Sequence, residues 1–114
     1  MMVEFLALLF IKHYIVDFVL QTPEMVASKG TYGDRAGIWH STQQGIGTFI
    51  AGCICLSSPV AALFWAIVDA VIHYHIDWTK MNKGCRDIQD PRFWNHLGLD
   101  QLAHYLTYLM IAAL

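Results

Sequence analysis

The stretch Ile46–Val68, IGTFIAGCICLSSPVAALFWAIV, decides how this chain folds, because none of its side chains is charged. It is interrupted once, by Ser57-Ser58-Pro59, which reads as a tight turn between two apolar helices. A helix on the surface of a soluble domain shows water a charged or polar stripe. No such stripe can be drawn here, so the stretch predicts two membrane-crossing helices joined as a hairpin.

Working outward, two more apolar segments flank this hairpin, and together the four run over residues 2–21, 38–56, 60–78 and 96–114. Each comes close to the ~20 residues a helix needs to cross the hydrocarbon core. The connections at 22–37 and 79–95 are polar and hold Gly30, Gly33, Gly37, Gly84 and Pro91. The expected fold is therefore all-α, a single integral membrane domain over residues 1–114 built as a four-helix transmembrane bundle. Composition agrees: 14% of the 114 residues are charged and 56% hydrophobic, where soluble domains carry roughly a quarter charged. A net charge of −2 excludes the dense basic face that nucleic acid requires.

Orientation follows from the basic residues. Lys29 and Arg35 flank the first connection, Lys80, Lys83, Arg86 and Arg92 the third, and the hairpin turn has none. That places these loops on the cytoplasmic side and both termini on the opposite, non-cytoplasmic side. Trp39, Trp78 and Trp94 fall at the cytoplasmic ends of their segments, where an interfacial aromatic belt belongs. The N-terminus lacks a basic region and a small-x-small site before Gln21 and carries Glu4, so it does not read as a cleaved signal peptide. Cys53, Cys55 and Cys85 supply no disulfide framework, and Cys53 and Cys55, two apart in an apolar run, read as small packing residues.

The ionisable residues inside the apolar segments carry the chemistry, since such groups are costly in a bilayer and turn toward the bundle interior. Segment one has His13 and Asp17, segment three Asp69, His73 and Asp77, and segment four Asp100 and His104. A His and an Asp stand four residues apart in each, which puts both on one helix face. Segments one and three run toward the loops and read His then Asp; segment four runs back and reads Asp then His. At 1.5 Å per residue the histidines lie roughly 10 Å, and the aspartates roughly 5 Å, below one boundary. His40 adds a member from segment two, with Gln44 a turn deeper, followed by Gly45, Gly47 and Gly52, which permit close helix approach and offer a face for homo-oligomer formation.

Such a layer suits three chemistries. Imidazole and carboxylate are ligands for a divalent transition metal, Zn, Mn or Fe. His13, His40, His73, His104 and Asp69 are the expected metal ligands, and Asp17, Asp77 and Asp100 the expected catalytic carboxylates, as ligands, general base or orienting groups. Lys80, Gln21, Gln101 and Gln44 are the expected substrate-binding groups, with Lys80 placed to meet an anionic head group. A metal there can activate water against a phosphate or ester of a lipid-linked or membrane-proximal substrate. The same residues also suit a proton or ion path, or interhelical hydrogen bonds that simply fix the bundle. Among the rest, Lys12 departs from the His13 stripe and is expected to snorkel. His75 points away from His73, toward the interface. Asp34, Asp87 and Asp90 read as solvated loop residues.

The combination His13-x3-Asp17-Phe18-x2-Gln21, His40, His73-x2-Ile76-Asp77-x2-Lys80 and Asp100-Gln101-x2-His104 resembles an uncharacterised family of small polytopic membrane proteins, domain of unknown function 3307, found in bacteria and their phages. The resemblance covers nearly the whole chain and implies an integral protein of the bacterial inner membrane among membrane lipids, with some members phage-encoded. In segment two the family often has a second His one turn after the first, and Gln44 stands there in this chain. The layout is also similar to membrane-bound metal-dependent hydrolases. A non-enzymatic conductor or membrane regulator is the alternative from a different class.

Overall fold

The structure, a computed structural model, describes residues 2–28, 30–84 and 86–114; Lys29 and Cys85, and the side chain of Lys83, lie outside what it describes. The fold is all-α. Helix α1 spans Met2–Tyr14 and passes into a π-helical turn at Ile15–Val19; α2 is Pro23–Ser28, α3 Arg35–Cys55, α4 Pro59–Lys83 and α5 Pro91–Ala113. The long helices begin where capping chemistry allows. Asp34 Oδ1 accepts from the Ala36 N–H at 3.0 Å and Ser58 Oγ from Ala61 at 3.3 Å. Asp90 Oδ1 accepts from Arg92 at 2.9 Å, and Pro59 and Pro91 occupy first-turn positions that need no N–H donor. Asp34 and Asp90, expected as solvated loop residues, are thus N-caps. Helix α4 runs past the apolar segment to Lys83 and α5 starts ahead of its own at Pro91, because hydropathy reads apolar length and caps set helix ends.

Helix α1 packs between α3 and α5, and α4 closes the square against the same two, with α3–α4 the most extensive pairing. The body measures 45 × 27 × 21 Å. Small residues set the α3–α4 approach: a Cβ at Gly52 would stand 2.7 Å from Ala62 Cβ, and one at Gly45 3.0 Å from the Ala66 carbonyl oxygen. Gly47 faces α1 instead, where a Cβ would meet the Lys12 stem at 2.9 Å. The glycines of α3 are therefore taken up inside the chain.

Among the described residues, one helical segment, Pro59–Asn82, is long and apolar enough to cross a membrane, with mean hydropathy 1.5. The other helices fall short of that measure because their amides, imidazoles and carboxylates interrupt the apolar run, or, in α1, because the regular helix stops at Tyr14. The four-span expectation thus narrows here to one such helix in an all-α body.

Many buried residues are polar or ionisable, and many large apolar side chains are exposed. The buried polar set includes Lys12, His13, Asp17, His40, Gln44, Asp69, His73, Asp77, Asp100 and His104, while Val3, Ile54, Val60, Phe64 and Leu102 are each at least half exposed. The apolar cluster is small: Phe5, Leu9, Ala51, Cys55, Tyr108 and Ile111, at the end that carries the Ser57-Ser58 turn. Cys55 packs there as expected of a small apolar residue, and Cys53 is exposed.

Candidate metal centre

The first local feature that shapes the site is the π-helical turn. Leu20 N–H reaches back five residues to the Ile15 carbonyl at 2.9 Å, widening the turn that carries Asp17. Single π turns inside helices occur often at functional positions. Here the turn delivers a buried carboxylate to the centre of the bundle from the last turn of the first helix. The imidazoles arrive from regular helix: His40 on α3, His73 on α4 and His104 on α5, each no more than 1% exposed.

Four atoms from three elements form the tightest group. His40 Nε2 and His73 Nε2 stand 3.3 Å apart. Asp17 Oδ1 lies 2.9 Å from the first and 3.5 Å from the second, and Asp77 Oδ2 lies 3.6 and 3.0 Å from the same two nitrogens. Ligand bonds of 2.0–2.1 Å at tetrahedral angles imply ligand–ligand edges of about 3.3–3.4 Å, and the five edges bracket that value. The His40 and His73 ring centroids are 5.2 Å apart. Two imidazoles sharing one tetrahedral ion through Nε2 would be separated by about the same distance. His40, His73 and Asp77 therefore offer ligand atoms close enough together to hold one divalent ion, with Asp17 on the far side of the imidazole pair. The Nδ1 atoms of both rings are buried without a hydrogen-bond partner among the described residues.

A second group continues from Asp77. His104 Nε2 lies 3.3 Å from Asp77 Oδ1 and 3.4 Å from Asp100 Oδ1, and Lys80 Nζ reaches Asp100 Oδ2 at 3.3 Å. His13, Asp17 and His73 form a third set of ligand atoms close enough to hold an ion. Both His13 nitrogens, however, already have protein partners. Nδ1 is 2.6 Å from the Tyr108 hydroxyl and Nε2 2.8 Å from Gln101 Oε1. Gln101 in turn donates to Asp100 Oδ2 at 3.1 Å, tying the two sides of the layer together. Gln44 donates to Asp17 Oδ1 at 2.8 Å, so its amide anchors a carboxylate. Gln21 donates to the Asp17 carbonyl at 2.9 Å, leaving its own Oε1 buried and without a partner among the described residues.

Asp69 sits elsewhere. Expected among the metal ligands, it accepts from Lys12 Nζ at 2.7 Å and Thr48 Oγ1 at 2.5 Å and belongs to none of the three groups. At two turns from Asp77 along α4 it is simply too deep to join the layer. Lys12 does not snorkel. It is buried, donating also to Gln44 Oε1 at 2.6 Å and Tyr108 OH at 3.3 Å. The missing side chain at Gly47 makes room for its stem. Sequence reading passed over this group because Lys12 and His13 are neighbours and stripe logic assigns them different faces. The signals that pointed to it are Asp69 as a deep acid needing a partner, and Tyr108 one turn after His104. His75, as expected, lies outside the layer, exposed and 2.9 Å from the Tyr32 hydroxyl.

Between α4 and α5 a cavity of about 670 Å³ opens sideways, walled by Ile72, Ile76, Leu99 and Ala103 and reaching Lys80 and Asp100. Asp100 thus faces both the groove and the His/Asp layer.

The chain belongs to the family described as protein of unknown function (DUF3307), whose match covers residues 5–114. No curated protein and no solved structure matches it.

Proposed function

We propose that this member of the family is a metal-dependent hydrolase of the bacterial inner membrane, a four-span bundle acting on a phosphate or ester of a lipid-linked or membrane-proximal substrate. The observation that carries the reading is the set His40, His73 and Asp77, with Asp17 against the same two imidazoles, spaced to hold one divalent ion, Zn, Mn or Fe. Such an ion, when bound, supplies Lewis acidity and a more acidic water. The chain's own residues do the rest. Gln44 and Gln101 hold Asp17, His13 and Asp100 in place. Lys80 offers a positive charge at the loop-side part of the groove, suited to an anionic head group, while Ile72, Ile76 and Leu99 suit an apolar chain. Asp100, shared by groove and layer, puts the reacting group of such an amphiphile next to the ligands.

The membrane setting is supported by the buried polar residues and the exposed apolar ones. In water so many exposed large apolar side chains would be costly to leave uncovered. In lipid they are the expected outer face, and the buried charges turn inward.

The test uses the full chain purified in detergent. Elemental analysis should find Zn, Mn or Fe at one or more per chain, lost in His40→Ala and His73→Ala variants that keep their helical circular dichroism. Metal-dependent release of phosphate from an anionic phospholipid in mixed micelles should follow the same pattern. A metal-free protein with intact fold overturns the reading. One observation favours a proton relay instead: His13, Tyr108, Lys12, Asp69 and Thr48 form a continuous polar chain toward the bundle centre. That chain ends against the apolar cluster of Phe5, Leu9, Ala51 and Ile111. Proton flux into liposomes abolished by Asp69→Asn, from metal-free protein, would establish the relay.

A further inference from the structure

The stacking of His73 and His104 bears on how many ions the layer takes. Their ring centroids are 4.1 Å apart and their planes 26° apart, a near-parallel stack. An imidazole binds metal along a lone pair that lies in its ring plane, so one ion must lie in the planes of all its imidazole ligands. Two stacked rings have displaced, nearly parallel planes, and these do not meet at a point within bonding distance of both nitrogens. His40 and His73 differ in this respect: their planes are 55° apart and their Nε2 atoms converge to 3.3 Å. His104 therefore points its Nε2 at a different place from the one His73 and His40 share.

Asp77 links the two places. Its Oδ2 lies 3.0 Å from His73 Nε2, while its Oδ1 lies 3.3 Å from His104 Nε2. Asp100 Oδ1 completes the second set, 3.4 Å from His104 Nε2, and is buried without a hydrogen-bond partner among the described residues although Asp100 is only 5% exposed.

We infer that the layer binds two divalent ions: one held by His40, His73 and Asp77, the second by Asp77, Asp100 and His104, with the Asp77 carboxylate bridging them. The inference rests on the metal reading above and deepens it. A stack of this depth sets the ions about 3.5–4 Å apart, the spacing of two-metal hydrolytic sites. Each set supplies three protein ligands, which leaves a coordination position open, as in catalytic sites. The second is the one on the Asp100 side, where the α4–α5 groove arrives. This assigns the two ions different work: the first positions Asp77, and the second meets the substrate.

The test is metal stoichiometry and spin coupling on the full-length detergent-purified chain loaded with Mn²⁺ and freed of loose metal. The expected result is two Mn²⁺ per chain with an exchange-coupled electron paramagnetic resonance spectrum. His104→Ala should lower this to one, with an uncoupled six-line signal. Asp100→Asn, which changes no volume, should do the same if His104→Ala fails to fold. One Mn²⁺ per chain in the unmodified protein, unchanged by either substitution, overturns the two-ion inference and leaves the metal-centre reading standing. No bound metal overturns both.

Discussion

Lys12 and Asp69 make a prediction that is independent of any metal. Their side chains are only 9% and 1% exposed, and Nζ lies 2.7 Å from Oδ2. The three ammonium protons have three acceptors, in Asp69, Gln44 and Tyr108. Substituting Lys12→Met keeps the stem against Gly47 and removes the charge. Asp69 then retains only the Thr48 hydroxyl as a hydrogen-bond donor. Breaking a buried pair by deleting one member costs about 3–5 kcal/mol, because the other charge stays buried and uncompensated. For a chain of this length that corresponds to a fall in Tm on the order of 10 °C or more. Asp69→Asn should cost a similar amount, since the amide is nearly isosteric but leaves the ammonium unpaired. The double variant should recover most of the loss, because an ion pair replaced by neutral groups is often close to neutral in stability. The coupling in the double-mutant cycle should then be at least about 2–3 kcal/mol. Thermal unfolding in detergent, followed by circular dichroism at low and high salt, measures all four corners, and added salt should change the coupling little because the pair is shielded from solvent. If Lys12→Met alone lowers stability by less than about 1 kcal/mol, the pair is not buried as described and the reasoning fails.

Three further predictions follow from the packing and the layer. Gly52→Ala should destabilise the chain by about 1–3 kcal/mol, since the new Cβ would meet Ala62 Cβ at 2.7 Å and its Cα at 3.0 Å. Gly98→Ala, mid-helix with no neighbour within 4 Å, should stabilise it by about 0.5–1 kcal/mol; paired unfolding curves that fail to move in opposite directions contradict the α3–α4 contact. Tyr108→Phe removes the hydroxyl 2.6 Å from His13 Nδ1 and should cost about 1–3 kcal/mol while leaving metal content unchanged; loss of metal in that variant would make His13 a ligand. Acidification should release bound metal, because each imidazole and carboxylate must be free of its proton to bind; metal retained at equal stoichiometry in strongly acidic buffer, with the fold intact, would locate it on other groups.

Much of the layer was legible along the chain. The i, i+4 pairs His13–Asp17, His73–Asp77 and Asp100–His104 each share one helix face by geometry alone, and their order reverses with helix direction as one depth requires. The all-α fold was equally legible from the uncharged hairpin at Ile46–Val68, since apolar length and one turn signal need no tertiary information. Other features depended on partners distant in sequence. The i, i+4 rule cannot say that Lys12 turns inward, because its place is set by the absent side chain of Gly47 and the acid Asp69 on other helices. Nor can depth counting separate His40 and His73, whose Nε2 atoms converge, from His73 and His104, whose rings stack. Periodicity determines which face a residue occupies and how deep it lies. The rotation and separation of the helices, set by glycine–alanine contacts and a π-helical turn at Asp17, determine which atoms on those faces come within bonding distance of a common point.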